Sequence, residues 1–296
     1  MEEIFLYIVL AGFGLILGSF AGAQVWRLRA RQLVEDKAMG EEYDKKEYSQ
    51  LIGLQTKSLT SDRSRCLSCH HQLAWYDLVP FVSWLSTKGR CRYCKKHIGY
   101  FEPLIEIGVA AYFILSFMFW PFDLGTAVEV SRFVVWLLSG VMLAILFAYD
   151  AKWFLLPDRI IVPLIGVSVL YAGLGLTNEG DLVGALLSMG GAIAILSGLY
   201  LLLWFLSKGA WIGFGDVKLG VALGLLLGQW ELAFLALFLA NFIGCLIVIP
   251  GLVTKKLSRT TQVPFGPMLI AGFFLAALFG TPFISWYLSV TSTLML

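Results

Sequence analysis

The sequence predicts an all-α polytopic membrane protein of about eight transmembrane helices, with a small cytoplasmic zinc-ribbon-like domain. Three observations lead there. Of 296 residues, 58% are apolar and 14% are charged, whereas soluble domains carry about 25% charged residues. Apolar runs recur at the length of a bilayer crossing. Four of the five cysteines fall in two Cys-x-x-Cys pairs within one long charged loop.

A span needs about 20 apolar residues. In chain order the runs are 4–26, 104–120, 131–149, 160–176, 182–206, 232–250 and 265–290. An eighth piece, 217–228, follows a Gly-rich turn and is short for a crossing unless residues 211–216 join it. The first run begins Met1-Glu2-Glu3 and is followed by arginines. It lacks the basic n-region of a cleavable signal and is read as a retained helix. The expected domains are a first transmembrane helix (1–26), a cytoplasmic loop domain (27–100) and a transmembrane core (101–296).

Basic residues set the orientation. With the N-terminus outside and eight spans, residues 27–100, 150–159, 207–218 and 251–263 face the cytoplasm. These stretches hold 21 of the 22 Lys and Arg, and only Arg132 falls elsewhere. The expected topology is N-out and C-out.

Within the loop domain, residues 27–62 are rich in Arg, Lys and Glu with scattered Leu and Ile. Short amphipathic surface helices and a solvated linker are equally compatible with that pattern. Residues 63–100 hold Cys66-x-x-Cys69 and Cys91-x-x-Cys94. Each pair offers two thiolates from one tight turn, and two turns complete the tetrahedron of a zinc ribbon. Two disulfides are disfavoured in the cytoplasm. Cys66-Leu67-Ser68-Cys69-His70 also fits a c-type haem attachment site, but that reading leaves the second pair idle. His70, His71 and His97 are spare ligands beside a full set of four cysteines. Four thiolates leave no open coordination position, so the expected role is structural: folding the loop and holding it at the membrane near the active site. Cys245 is read as a small buried hydrophobe.

Acids in or beside spans are candidates for function. Asp123, Glu129, Glu179, Asp181 and Glu231 fall in outer loops, and Glu102 and Glu106 border or enter the second span. Asp150, Asp158 and Asp216 remain, all at the cytoplasmic ends of spans. Two adjacent carboxylates share a proton, so one can activate water while the other polarises a peptide carbonyl. Asp158 follows Pro157 at a helix start, where a capping role suffices. Asp150 and Asp216, the latter in Gly213-Phe214-Gly215-Asp216-Val217-Lys218, are the candidate pair. Gly213 and Gly215 would let an extended peptide approach. The plainer alternative makes both acids interfacial carboxylates paired with Lys152 or Lys218. Such geometry often tightens only in the complex, but two acids on opposite faces of the bundle would count against a site.

A longer series of motifs resembles the bacterial type IV prepilin leader peptidases, intramembrane aspartyl enzymes of the Gly-x-Gly-Asp type. It comprises Gly18-Ser19-Phe20, Arg27-Leu28, both cysteine pairs with Leu78-Val79-Pro80 and Ser83-Trp84 between them, Gly89-Arg90-Cys91, and Pro103-Leu104-Ile105-Glu106. Asp150, Leu156-Pro157-Asp158, Gly213-Phe214-Gly215-Asp216 with Lys218, and Pro264-Phe265-Gly266-Pro267 follow. The resemblance implies catalytic Asp150 and Asp216, with Gly213, Gly215, Lys218 and Asp158 in support. It also implies structural Zn2+ on Cys66, Cys69, Cys91 and Cys94. The implied reaction removes the basic leader of prepilins or type II secretion pseudopilins at the cytoplasmic face of a bacterial inner membrane. The implied partners are those precursors and the lipid bilayer, with no nucleic acid. Relatives with a long first loop commonly also methylate the new N-terminus with S-adenosylmethionine. Two departures are visible. Arg29-Ala30 stands where Pro usually follows Arg-Leu, in the region tied to methylation, and Leu67 stands where Pro often follows the first cysteine.

Three rival readings remain. A transporter with a zinc ribbon would show polar residues through the membrane depth and internal repeats. An inactive assembly scaffold would tolerate loss of the Asp pair. A thiol enzyme would need accessible, low-pKa cysteines and a resolving partner.

Overall fold

The computed structural model describes residues 2–54, 63–177, 180–255 and 263–294. Glu179 and the basic residues Lys57, Lys256 and Arg259 lie outside them. The described residues are almost wholly helical and form two compact units, Met1–Ile114 and Leu115–Leu296.

In the first unit, α1 spans Glu2–Met39, or 38 residues. At ~1.5 Å per residue that is about 57 Å, well beyond a hydrocarbon core of about 30 Å. The helix therefore continues through residues 27–39, past the expected span. Its extension is packed. Ala30, Leu33 and Leu51 form a small core, covered by Trp26, Tyr43, Tyr48, Leu54 and Leu67. Leu51 ends α2 (Lys45–Leu51), whose start is capped by the Asp44 carboxylate accepting from the N–H of Lys46 and Glu47. Arg29 clamps the two helices through Glu47 at 2.6 Å. Residues 27–51 are thus folded, not a solvated linker. Arg29, Ala30 and Leu67, the departures from the family pattern, all belong to this one assembly.

After the two cysteine turns and α3 (Val82–Ser86), α4 (Phe101–Met118) lies against α1. A Cβ on Gly14 or Gly18 would come within 2.6 Å of the Cα of Ala110 or Glu106. Small residues four apart let the two backbones meet, as in membrane helix pairs.

The second unit contains α5 (Ala127–Trp153), α6 (Asp158–Leu176), α7 (Leu182–Ile193), α8 (Leu199–Ser207), α9 (Phe214–Leu227), α10 (Trp230–Val253) and α11 (Gly266–Leu294). A π-helical turn, Ala194–Gly198, joins α7 to α8 as one apolar helix. Among the described residues seven helices are long and apolar enough to cross a membrane. The remaining expected span is α9, with 14 residues, or about 21 Å. It can be short because it is enclosed. Val217, Leu219, Ala222, Leu223, Leu226 and Leu227 are buried. Gly220 and Gly224 press its backbone onto Leu196 and Ile193. The π turn widens the facing helix there, and Ser197 donates to the Val217 carbonyl at 2.9 Å.

Candidate active site

Asp150 and Asp216 reach one region of the second unit from different helices. α5 starts on a Thr126–Glu129 capping box and runs to Trp153. Phe154 then takes a left-handed conformation (φ 57°) and its N–H closes on the Asp150 carbonyl at 2.9 Å. The short turn to α6 follows, bringing Leu156 against Gly215. A Cβ on Gly215 would lie 2.9 Å from the Leu156 Cβ. Gly215 is therefore required by helix-to-turn packing. Gly213, the N-cap of α9, is the more open of the two, with its nearest neighbour, Asp216 Oδ2, at 3.7 Å from a Cβ built there.

The Asp150 side chain is buried, 5% exposed. It accepts a hydrogen bond from the N–H of Gly266 at 3.0 Å. A Cβ on Gly266 would stand 2.7 Å from Oδ2, so only glycine lets this backbone reach the carboxylate. Asp216 sits in the first turn of α9, a favourable place for a carboxylate, with the N–H groups of Gly213 and of Asp216 itself facing it. It feels the charge of Asp150. The two acids therefore share one electrostatic environment and do not stand on opposite faces of the bundle. Tyr200 joins them from α8. Its ring packs on Phe265, 5.4 Å between centroids, and its buried Oη has no hydrogen-bond partner although it feels the charge of Asp216. At the rim, Trp204 packs on the half-exposed Phe214.

Asp158 departs from expectation. The N-cap of α6 is Pro157, and no side chain caps the helix. The Asp158 carboxylate instead accepts two hydrogen bonds from Lys218 Nζ, at 2.7 and 2.8 Å. Pro157 supplies a preset helix entry without a side-chain acceptor, which frees the acid to tie α6 to α9. Lys218 is thereby engaged by Asp158, away from the role of partner to Asp216. Lys152 lies over the Trp153 ring at 5.0 Å.

Sequence reading did not anticipate the Gly266 donor or Tyr200. The first had a signal: a glycine between aromatic and proline in Phe265-Gly266-Pro267 implies a close backbone approach. Tyr200 had none beyond a phenol in an apolar helix.

The first unit carries the cysteine centre. Isolated bridges Arg65–Gln72 and Arg90–His97 close two matching turns. They bring the sulfurs of Cys66, Cys69, Cys91 and Cys94 within 4.8 Å of one another, with Cys66 and Cys94 at 4.0 Å. Zinc–sulfur bonds of about 2.3 Å in a tetrahedron need sulfurs about 3.8 Å apart. The donor set fits zinc, and these are the residues that would hold it. All four are free cysteines, not disulfides. Convergence of both pairs also removes the haem reading. Burial pushes the Cys66 thiol up to about 12. Burial acts the same way on Cys91, but the N–H groups of Cys94 and Tyr93 outweigh it and hold that thiol down at about 7. One ready thiolate beside the protonated Cys66 suits metal capture with proton release. Two of the histidines are used elsewhere: His71 stacks on Tyr93 at 3.7 Å, and His97 Nδ1 accepts from the Gly99 N–H. His70 Nδ1 is buried without a hydrogen-bond partner and lies outside the four-sulfur cluster.

Fold and site together define a multi-pass membrane protein with two neighbouring acids, one buried and one half-buried, in one unit and a four-cysteine centre in the other. The Type IV leader peptidase family matches residues 137–249, and the Bacterial Peptidase A24 N-terminal domain matches residues 13–120. A "Prepilin leader peptidase/N-methyltransferase" of Aeromonas salmonicida is 30% identical over 94% of this chain and 92% of its own length. A "Type 4 prepilin-like proteins leader peptide-processing enzyme" of Escherichia coli is 33% identical over 90% of this chain and 93% of its own. A Pseudomonas aeruginosa protein with the same name as the first is 28% identical over 93% and 91%. No solved structure matches the chain. The chain belongs to the type IV leader peptidase family and is a membrane peptidase.

Proposed function

We propose that this peptidase cleaves the basic leader of type IV prepilins, or of type II secretion pseudopilins, with Asp150 and Asp216 as its catalytic pair. The observation that carries the reading is the junction of Asp150, Gly266, Phe265, Tyr200 and Asp216, in which a buried and a half-buried acid share one electrostatic environment. The ionised member takes a proton from water, which attacks the scissile carbonyl. The protonated member donates to the carbonyl oxygen. As the tetrahedral intermediate collapses, the acid that took the water proton gives it to the leaving amine, and the other recovers its proton from a gem-diol hydroxyl. The shared proton belongs to the pair. Gly266 fixes Asp150 through one oxygen. The Lys218–Asp158 tie aligns α9 with α6 and so positions Asp216. Gly213 leaves the approach to Asp216 open, and Phe214 offers an aromatic surface beside it.

The Lys- and Arg-rich loops support an N-out, C-out orientation with cleavage at the cytoplasmic face. The names of the relatives support a second activity, methylation of the new N-terminus with S-adenosylmethionine. Zinc on the four cysteines supplies folding energy to residues 63–100 and takes no part in hydrolysis.

The test is cleavage of a prepilin by the purified full-length protein in detergent, with methyl transfer to a pre-cleaved pilin measured in parallel. Asp150→Asn and Asp216→Asn should each abolish cleavage while methyl transfer persists. Full cleavage by either variant refutes the pair.

A further inference from the structure

We propose that a cavity around Arg132 binds the phosphate of a membrane phospholipid. Arg132 lies near the start of α5, at the other end of that helix from Asp150. Eighteen residues separate them, or about 27 Å, close to the thickness of a hydrocarbon core. With Asp150 at one membrane interface, Arg132 is at the depth of the opposite headgroups.

The cavity has a volume of about 290 Å³ and is entirely contained in the second unit. Its polar end is built around the guanidinium, 4.1 Å from the Phe122 ring centre and 4.8 Å from that of Tyr171. Gly175 makes the room, since a Cβ there would stand 3.0 Å from Arg132 Cζ and Nη2. Two donors in this cavity, Arg132 Nε and Trp120 Nε1, are buried without an acceptor. Among the described residues no carboxylate lies within ion-pair distance of Arg132. The guanidinium is half-buried and bonds Tyr171, but a partly desolvated cation without a counter-ion and two buried unpaired donors are unfavourable, and one anion with several acceptor oxygens relieves them together. Phosphate matches the guanidinium fork. Apart from Gln229 and Thr281 the other walls, including Met189, Leu226 and Leu278, are apolar and suit an acyl chain. Tryptophans at this level are the usual interfacial pattern. The site also accounts for the one basic residue that the charge rule leaves on the outer side.

The test is thermal unfolding of the full-length protein in neutral detergent. Phosphatidylglycerol, diacylglycerol with the same chains, and inorganic phosphate are added separately. Phosphatidylglycerol should raise the wild-type Tm by about 5 °C, and Arg132→Gln should remove most of that shift. Diacylglycerol and inorganic phosphate should move Tm little. If Arg132→Gln does not fold, Gly175→Ala, which crowds the guanidinium, should show the same loss. Equal shifts in wild type and variant, or a full shift with diacylglycerol, overturn the site. A full shift with inorganic phosphate alone assigns it to a free anion and overturns the lipid.

Discussion

Glu106 in the first unit and Asp150 in the second are the same kind of feature in sequence: an acid within an apolar helix. In the structure both are buried, 6% and 5% exposed, and each accepts a backbone N–H from a distant segment. Glu106 takes the N–H of Phe81 at 2.7 Å and is also held by Ser19, from α1. It joins three segments and takes two donors. Among the described residues Asp150 takes the N–H of Gly266 alone, and Asp216 stands within reach of its charge. Glu106 also feels a second acid, Glu102, so what separates the two is their donors: a carboxylate held by two donors is a latch, whereas one held by a single donor beside another acid is a reagent. The difference lies in partners from far along the chain, and it can be probed from both sides.

The largest expected effect belongs to the first unit, where the cysteine centre takes saturation furthest. Four thiols would share one ion, and structural zinc contributes about 10–16 kcal/mol in small domains. Metal analysis should find about one zinc per chain. Chelation, or Cys91→Ser, should expose residues 63–100 to protease while the helical signal of the membrane segments persists. Unchanged protease resistance after complete metal loss would show that this region folds without the ion.

Exchanging the roles of the two acids is the next test. Asp150→Asn should lower cleavage by about 10²- to 10⁴-fold, the range for loss of an acid–base group, with Tm nearly unchanged because the amide oxygen still accepts from Gly266. Glu106→Ala should do the reverse. It leaves the Phe81 N–H unpaired in a buried site, at a cost of about 1–3 kcal/mol, and lowers Tm, while the chemical step is spared. If Glu106→Ala lost cleavage as completely as Asp150→Asn at a temperature where it is folded, the distinction between latch and reagent would fail.

What the sequence revealed follows the range of each signal. The cysteine centre was fully legible, because each Cys-x-x-Cys turn is local and the metal dictates the geometry. The spans were legible because lipid contact requires continuous apolar runs. The short helix α9 was hard to read as a span for a physical reason: it is sheltered by other helices, so length does not constrain it. Asp150 and Asp216 could be singled out by position but not joined, since their link runs through Gly266 and Tyr200, distant residues with no spacing signature. Asp158 was misread because Pro followed by Asp suggests a cap locally, while its partner Lys218 lies sixty residues away. The fold of residues 27–51 was left open by charge pattern alone. Charged residues there lie along helices that bring three of their apolar residues, Ala30, Leu33 and Leu51, into one core.

Tyr200 sharpens the contrast further. Its Oη is buried and unpartnered beside Asp216, an arrangement a purely structural phenol rarely keeps. Tyr200→Phe should lower kcat by about tenfold, the value of one hydrogen bond in the transition state, with KM and Tm little changed. A loss confined to Tm would make the ring a packing element alone.

The smallest effect should come from Asp158→Asn. The ion pair with Lys218 has short contacts, but the Asp158 side chain is 62% exposed and Lys218 is 29% exposed. Exposed pairs contribute about 0–1 kcal/mol because water and salt compete for both partners. The asparagine oxygen can still accept one hydrogen bond from Lys218, so α6 and α9 stay tied and cleavage should fall no more than a few-fold. Raising ionic strength should erase the remaining difference from wild type, since an exposed pair is screened within a Debye length of about 10 Å at 0.1 M salt. A loss as large as that of Asp150→Asn, persisting at high salt, would place Asp158 among the reacting groups and make the site a set of three acids.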